Sequence, residues 1–415
     1  MRVLGLFSII IFAFSVYGGN IVKKVGENVF VSSPLEGTDT VSFHFRRCMA
    51  NELYTFYSVS LISGEENVIV NQAYSDNIGP YSIVNGGWCG GNHLYLDNKT
   101  RTACTVSVEC FADGCRLFED EAVDAEKVEI NVENVIYNPL SVQNAGGKIT
   151  FFDTLCLEYV KYTVFDGCVQ VDLRHEYKNG IPVTVDRYYG MQSMFEGEEE
   201  ILTPLGEYSS WTPVSKVSRF TKDACPEFRW FIERNDKGYQ SAYLFNRGLG
   251  THCDVADDDV VFIGNSYGKC YHKQIGAVER VAGDSDYWSG VYSWFSSPLF
   301  DAGGVFACRG IADNRQTVII SCAKKGEFMI PLPEYLHGRK INMVESSSGM
   351  EDVSVAGNIL FVKSNGAATA VVAFNVVEVK VQLQKLMEAR TSFVPLVALE
   401  GCLLSVAKVM LKYIL

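Results

Sequence analysis

The sequence predicts an all-β protein, a large antiparallel β-sandwich or super-sandwich with a short C-terminal helical tail. Three observations carry this. Apolar and polar residues alternate with a period of two along much of the chain, turn-forming dipeptides separate the alternating runs, and helical periodicity is nearly absent before residue 380.

The first element is not part of that body. Residues 1–19 carry Arg2, an apolar run from Val3 to Val16 and small residues at Gly18 and Gly19. A short basic start, an apolar stretch of this length and a small-residue exit describe a secretory signal peptide, cleaved after Gly18 or Gly19. The run is shorter than the ~20 residues a membrane-spanning helix requires, so a membrane span is not expected. The expected location is secreted or periplasmic.

The body is assigned to residues 20–384, as one large β domain or two packed sheets or sub-domains. Val128, Ile130 and Val132 alternate with Glu129, Asn131 and Glu133, and Val169, Val171 and Leu173 with Gln170, Asp172 and Arg174. Each run reads as a strand with one buried and one solvated face. Asp113-Gly114, Asp166-Gly167, Asn179-Gly180 and Lys237-Gly238 supply tight turns. Tyr162–Phe165, Asp166-Gly167 and Cys168–Tyr177 read as a hairpin, and Asn179-Gly180 as the turn into a third strand of the same antiparallel meander. Without helical crossovers a doubly wound parallel sheet is excluded. Residues 385–415 are read as the helical tail, since Pro395 precedes an apolar stretch interrupted only by Glu400, Lys408 and Lys412.

Charge and cysteines limit the partners. A net charge of -13 with no basic stripe argues against nucleic acid. The thirteen cysteines form no CxxC pair, so a structural zinc site is not expected, and buried thiols are favoured over a disulfide framework. No metal site and no cofactor is assigned.

Three segments concentrate chemistry. In Gly86-Gly87-Trp88-Cys89-Gly90-Gly91-Asn92-His93, glycines admit close approach while Trp88, Asn92 and His93 offer a ring, an amide and an imidazole. Its structural alternative is a glycine-rich bulge around a buried Trp. In Asp186–Ser193 a regular strand would put Asp186, Tyr188 and Gln192 on one face and Arg187, Tyr189 and Ser193 on the other. Aromatic rings beside amide and charged groups suit sugars, although tyrosines in strands are commonly half-buried spacers. The third segment holds the Asp257-Asp258-Asp259 triplet, a calcium or ligand site or simply a solvated turn, and His272, a general acid–base group or a surface histidine. His175 shares the face of Val169, Val171 and Leu173 and reads as a core histidine. Trp288, Tyr292 and Trp294 alternate onto one face, with core favoured over a sugar platform. Gly264-Asn265-Ser266-Tyr267-Gly268 fits the G-x-S-x-G nucleophile elbow, but a helix must follow it, and Lys269–Gln274 reads as strand.

The segments Gly86–Tyr95, Arg187–Phe195 and Tyr267–Gly276 resemble those of exported proteins from gut anaerobic bacteria, over about residues 40 to 375. The long antiparallel chain is similar to the galactose-mutarotase-like super-sandwich, which also serves polysaccharide lyases and accessory domains of glycosidases. That resemblance implies a concave sheet lined by His93, Gln192 and His272. The expected function is an exported carbohydrate-active protein, an epimerase or lyase. His93 and His272 would move protons, Arg187 would neutralise developing charge and Tyr189 would be platform or acid. Trp88, Asn92, Tyr188, Gln192 and Asp258 would bind the ligand. The alternatives are a non-catalytic glycan-binding protein and a structural envelope protein.

Overall fold

The computed structural model describes residues 19–375 apart from 36–38, 49, 73–77, 196–199, 207–208, 218, 222–228, 250–258, 265–268 and 314. The expectations for the signal segment, the C-terminal tail, Asp258 and Ser266 lie outside these residues. Among them, helix is confined to short 3₁₀ turns such as Pro139–Ser141 and Glu334–Leu336. No helix there is long and apolar enough to cross a membrane.

Every paired strand among the described residues is antiparallel, as alternation without crossovers requires. A six-stranded sheet runs from Ala122–Ala125 through Asn20–Val25, Asn28–Pro34, Asp39–Cys48 and Leu53–Ser63 to Glu66–Gln72. A ten-stranded sheet has Gly238–Leu244, Ser285–Phe295, Cys168–Tyr177, Thr154–Phe165, Lys127–Tyr137 and Ala103–Ala112 as consecutive neighbours. A third sheet centres on Val183–Met194, flanked by Lys269–Ile275 and Tyr81–Ile83. Residues 300–374 build two further small sheets with their own core around Val318, Ile320 and Leu360.

The alternating residues do what their period dictates. Val128, Ile130, Val132, Val169, Val171 and Leu173 are buried. The ten-stranded sheet meets the six-stranded one through large rings, with Phe43 against Trp294 at 5.7 Å and Phe56 against Tyr292 at 5.5 Å. Trp288, Tyr292 and Trp294 are all fully buried, so this face is core. Of the ten cysteines among the described residues, eight are buried.

One expected connection takes a different course. Asp166 and Gly167 close the predicted hairpin with positive φ values of 50° and 70°, opposing Phe165 to Cys168. The strand after Asn179-Gly180, however, leaves the sheet, and Ser285–Phe295 occupies the place beside Cys168–Tyr177. The cause is side-chain chemistry at the corner. The Asp153 carboxylate accepts the Gly180 and Ile181 N–H groups at 3.0 and 3.1 Å, and Asn179 Nδ2 donates to Arg280 O at 3.0 Å. Neither Asn179 nor Gly180 has the positive φ of a tight hairpin, so the chain turns away instead of folding back.

Candidate functional site

The segments that stood out in the sequence converge only in part. Trp88, His93 and Tyr189 come together on the outer side of the third sheet. The Trp88 ring stacks on His93 at 5.0 Å and on Tyr189 at 6.1 Å, and Tyr189 reaches Tyr271 at 5.1 Å. Register explains it, since Trp88 opposes Ser82, and Ser82 opposes Arg187. Arg187 Nε donates to Asp186 at 2.7 Å, which, with Tyr189 adding to it, holds the guanidinium pKa above its ordinary value. Consecutive residues reach the same side because the ladder is irregular between Val185 and Arg187. These rings are stacked on one another, so their faces are largely used up and their edges are what solvent meets.

The remaining nominated residues have other work. Asn92 Oδ1 accepts the Ala50 N–H at 2.7 Å, and the buried Asn51 amide donates to Gly91 O and His93 O at 2.8 and 3.0 Å. The glycine-rich loop is thus stitched to a residue the sequence did not single out. Tyr188 is fully buried, donating to Ile78 O at 2.6 Å and accepting from Trp288 Nε1 at 2.9 Å. Burial pushes its phenol well above the ordinary range. Gln192 is buried, and its main-chain carbonyl accepts from the Tyr292 hydroxyl at 2.5 Å. His272 is buried with its ring 5.4 Å from Phe231. Because it follows Tyr271 in a strand, it projects to the face opposite Tyr189 and Trp88. The two imidazoles expected to share a cleft therefore lie on opposite faces of one sheet. His175 is a core residue, its Nε2 2.8 Å from the buried Glu158 carboxylate. The next described element after Gly264 is the strand Lys269–Ile275, where a nucleophile elbow requires a helix.

The open site lies elsewhere, on the outer face of the ten-stranded sheet. A hollow of about 500 Å³ is floored by residues from five adjacent strands. Strand register sets them in two cross-strand rows. One reads Ser107, Glu133, Tyr159, Arg174, Tyr287, and the other Glu109, Asn131, Lys161, Asp172, Ser289. Five strands spaced by about 4.8 Å make each row about 19 Å long. The volume falls within the range of ligand clefts, about 300–1,000 Å³.

The floor's chemistry divides into committed and open groups. Arg174 places its guanidinium over the Tyr159 ring at 4.8 Å and pairs through Nη1 with the Glu176 carboxylate. Lys161 pairs with Glu129, Glu109 with Arg116, and Asp172 with Arg247 and Ser289. The side chains of Glu133 and Asn131 and the hydroxyls of Tyr159 and Tyr287 have no hydrogen-bond partner among the described residues, and Tyr287 is 49% exposed. Two tyrosines, a guanidinium, a carboxylate and an amide thus face one hollow. They match a ligand with apolar faces and hydroxyl rims. The sequence contained the signal, for these are the polar partners of the alternating runs. Their convergence depended on register.

No family model and no curated protein matches the chain. Solved structures with partial likeness are glycosidase and polysaccharide lyase chains. The galactosidase domain of the α-galactosidase-sucrose kinase AgaSK is 7% identical, covering 64% of this chain and 40% of that one at a TM-score of 0.38. The α-galactosidase AgaB from Geobacillus stearothermophilus is 10% identical, with 67% and 41% covered and a TM-score of 0.39. A polysaccharide lyase is 9% identical, with 83% and 48% covered and a TM-score of 0.28. The chain therefore spans less than half of each of these proteins. At such scores neither a family nor an activity is transferred. The class defined here is a multi-sheet antiparallel β protein with an open, polar-aromatic hollow.

Proposed function

We propose that this chain binds carbohydrate on the outer face of its ten-stranded sheet. The observation that carries the reading is the row Glu133, Tyr159, Arg174, Tyr287, set side by side by register within one hollow. Tyrosine rings supply apolar contact to sugar C–H faces, while Arg174, Glu133 and Asn131 supply donors and acceptors for hydroxyls. The floor mixes both signs of charge on a chain of net charge -13, which favours a neutral glycan over a polyanion. The reading is a binding one. An epimerase or lyase built on His93 and His272 needs both imidazoles at one substrate, and the strand geometry separates them.

The test is titration of the full chain against neutral oligosaccharides, first surveyed on a glycan array. Tyr159→Ala and Tyr287→Ala should each weaken binding by about 0.5–1.5 kcal/mol, up to roughly tenfold in Kd. Unaltered affinity in both variants, or no glycan bound by the unmodified chain, refutes the proposal. We also infer that the binding takes place outside the cytoplasm. N-terminal sequencing of protein from the producing culture should begin at Gly19 or Asn20, and a retained Met1 refutes the export reading.

A further inference from the structure

The outward face that floors the hollow continues along its own strands. In Lys127–Tyr137 every second residue faces outward and is half-buried, and the series Asn131, Glu133, Val135, Tyr137 changes from polar to apolar. Register carries the change across the sheet. Val135 stands between Cys104 and Leu157, and Leu157 stands beside Glu176. This row lies two residues, about 7 Å, beyond Glu133, Tyr159 and Arg174. Cys104, Val135 and Leu157 are all partly exposed. Val106 is 53% exposed, because the pairing shifts between Glu133 and Asn134 and leaves it as an extra residue next to Ser107.

The apolar row runs toward a wall of rings. Tyr137 stacks on Phe151 at 5.7 Å, and Tyr95 meets Phe151 edge-on at 5.3 Å. Phe151 belongs to a two-stranded ribbon, Val142–Ala145 paired with Lys148–Phe151. Glu176, the charged member of the row, is paired with Arg174 and Lys178. Single apolar residues on a surface are ordinary, but Val106, Val135 and Leu157 gather against a polar floor on the same strands.

We propose that the site takes an amphipathic glycoside. The sugar lies on the rows of Glu133 and Asn131, and an aromatic aglycone joined to it lies on Val135, Leu157 and Val106, facing the Tyr137–Phe151 wall. This deepens, and rests on, the carbohydrate reading of the hollow. An aglycone suits the strip better than further sugar units, because Val135 and Leu157 offer hydroxyls no partner and would leave them dry.

The experiment pairs the methyl and phenyl β-glycosides of cellobiose, lactose, mannobiose and xylobiose in calorimetric titrations of the full chain. For the sugar that binds, the phenyl glycoside should bind about tenfold more tightly, the effect of about 55 Å² of ring surface leaving water. Val135→Thr combined with Leu157→Thr keeps β-branched side chains in the strands and should erase that advantage. Affinity for the methyl glycoside should be unchanged in this variant, which also reports that it folds. In the unmodified chain, the phenyl but not the methyl glycoside should slow alkylation of Cys104, with the exposed Cys115 as reference. Equal affinity for the two glycosides, a phenyl advantage that survives the double substitution, or unprotected Cys104 overturns the aglycone site and leaves the hollow standing. Failure of all four sugars to bind, or methyl glycoside binding indifferent to Tyr159→Ala, overturns the carbohydrate reading and the aglycone site with it.

Discussion

Directly beneath the floor runs a second cross-strand row, facing inward. Thr105 opposes Asn134, Asn134 opposes Glu158, Glu158 opposes His175 and His175 opposes Asp286. Thr105 Oγ1 donates to Asn134 Oδ1 at 2.6 Å, Asn134 Nδ2 donates to Glu158 Oε1 at 2.9 Å, and His175 Nε2 meets Glu158 Oε2 at 2.8 Å. Glu158 and His175 are 1% and 0% exposed, so water cannot replace a lost partner. Substituting His175→Leu strands one carboxylate oxygen. Substituting Glu158→Leu strands both the imidazole Nε2–H and the Asn134 amide. Breaking one side of a buried pair of this kind costs about 3–5 kcal/mol. The double substitution leaves only Asn134 unsatisfied, so it should be more stable than the sum of the singles by about 2 kcal/mol. Denaturant unfolding of the four proteins, followed by tryptophan fluorescence, measures this coupling. A coupling energy below about 0.5 kcal/mol would refute the view that the row acts as one network.

Phe56→Ala, which removes a ring packed on Tyr162, Tyr292 and Trp294, should cost about 3–5 kcal/mol of stability in the same assay. Burial raises the Asp153 pKa, but hydrogen bonds from Gly180 and Ile181 outweigh it and hold the value below the ordinary one. A depressed folded value means stability present above the unfolded pKa, about 3.9, and lost as pH falls through the folded one. Asp153→Asn should therefore lower stability at neutral pH and flatten the acid limb of a stability–pH curve, and an unchanged limb argues against this corner's role. Cys115 is exposed, whereas burial raises the Cys168 thiol to about 11. Mass-mapped alkylation of native protein should label Cys115 well before Cys168, and equal rates would contradict the packing.

What the sequence determined by itself was local. Alternation at 128–133 and 169–174 identified strands and their buried faces, because side chains in a strand can only point up or down. Asp113-Gly114 and Asp166-Gly167 identified hairpins, because few residues accept positive φ there. His175 was legible as core from the face it shares with Val169 and Val171. What only the tertiary structure decided was which strands became neighbours. The Asn179-Gly180 corner sent Val183–Met194 to another sheet through contacts with Asp153 and Arg280, residues distant in sequence. In that strand Tyr188 points inward and Tyr189 outward as its period of two required, but the pairing of its neighbour Lys269–Ile275 carried His272 away from His93. The same long-range pairing set Glu133, Tyr159, Arg174 and Tyr287 in one row, though each looked in sequence like an ordinary solvated residue. Register between distant strands is a property of the whole fold, written in no single window of the chain.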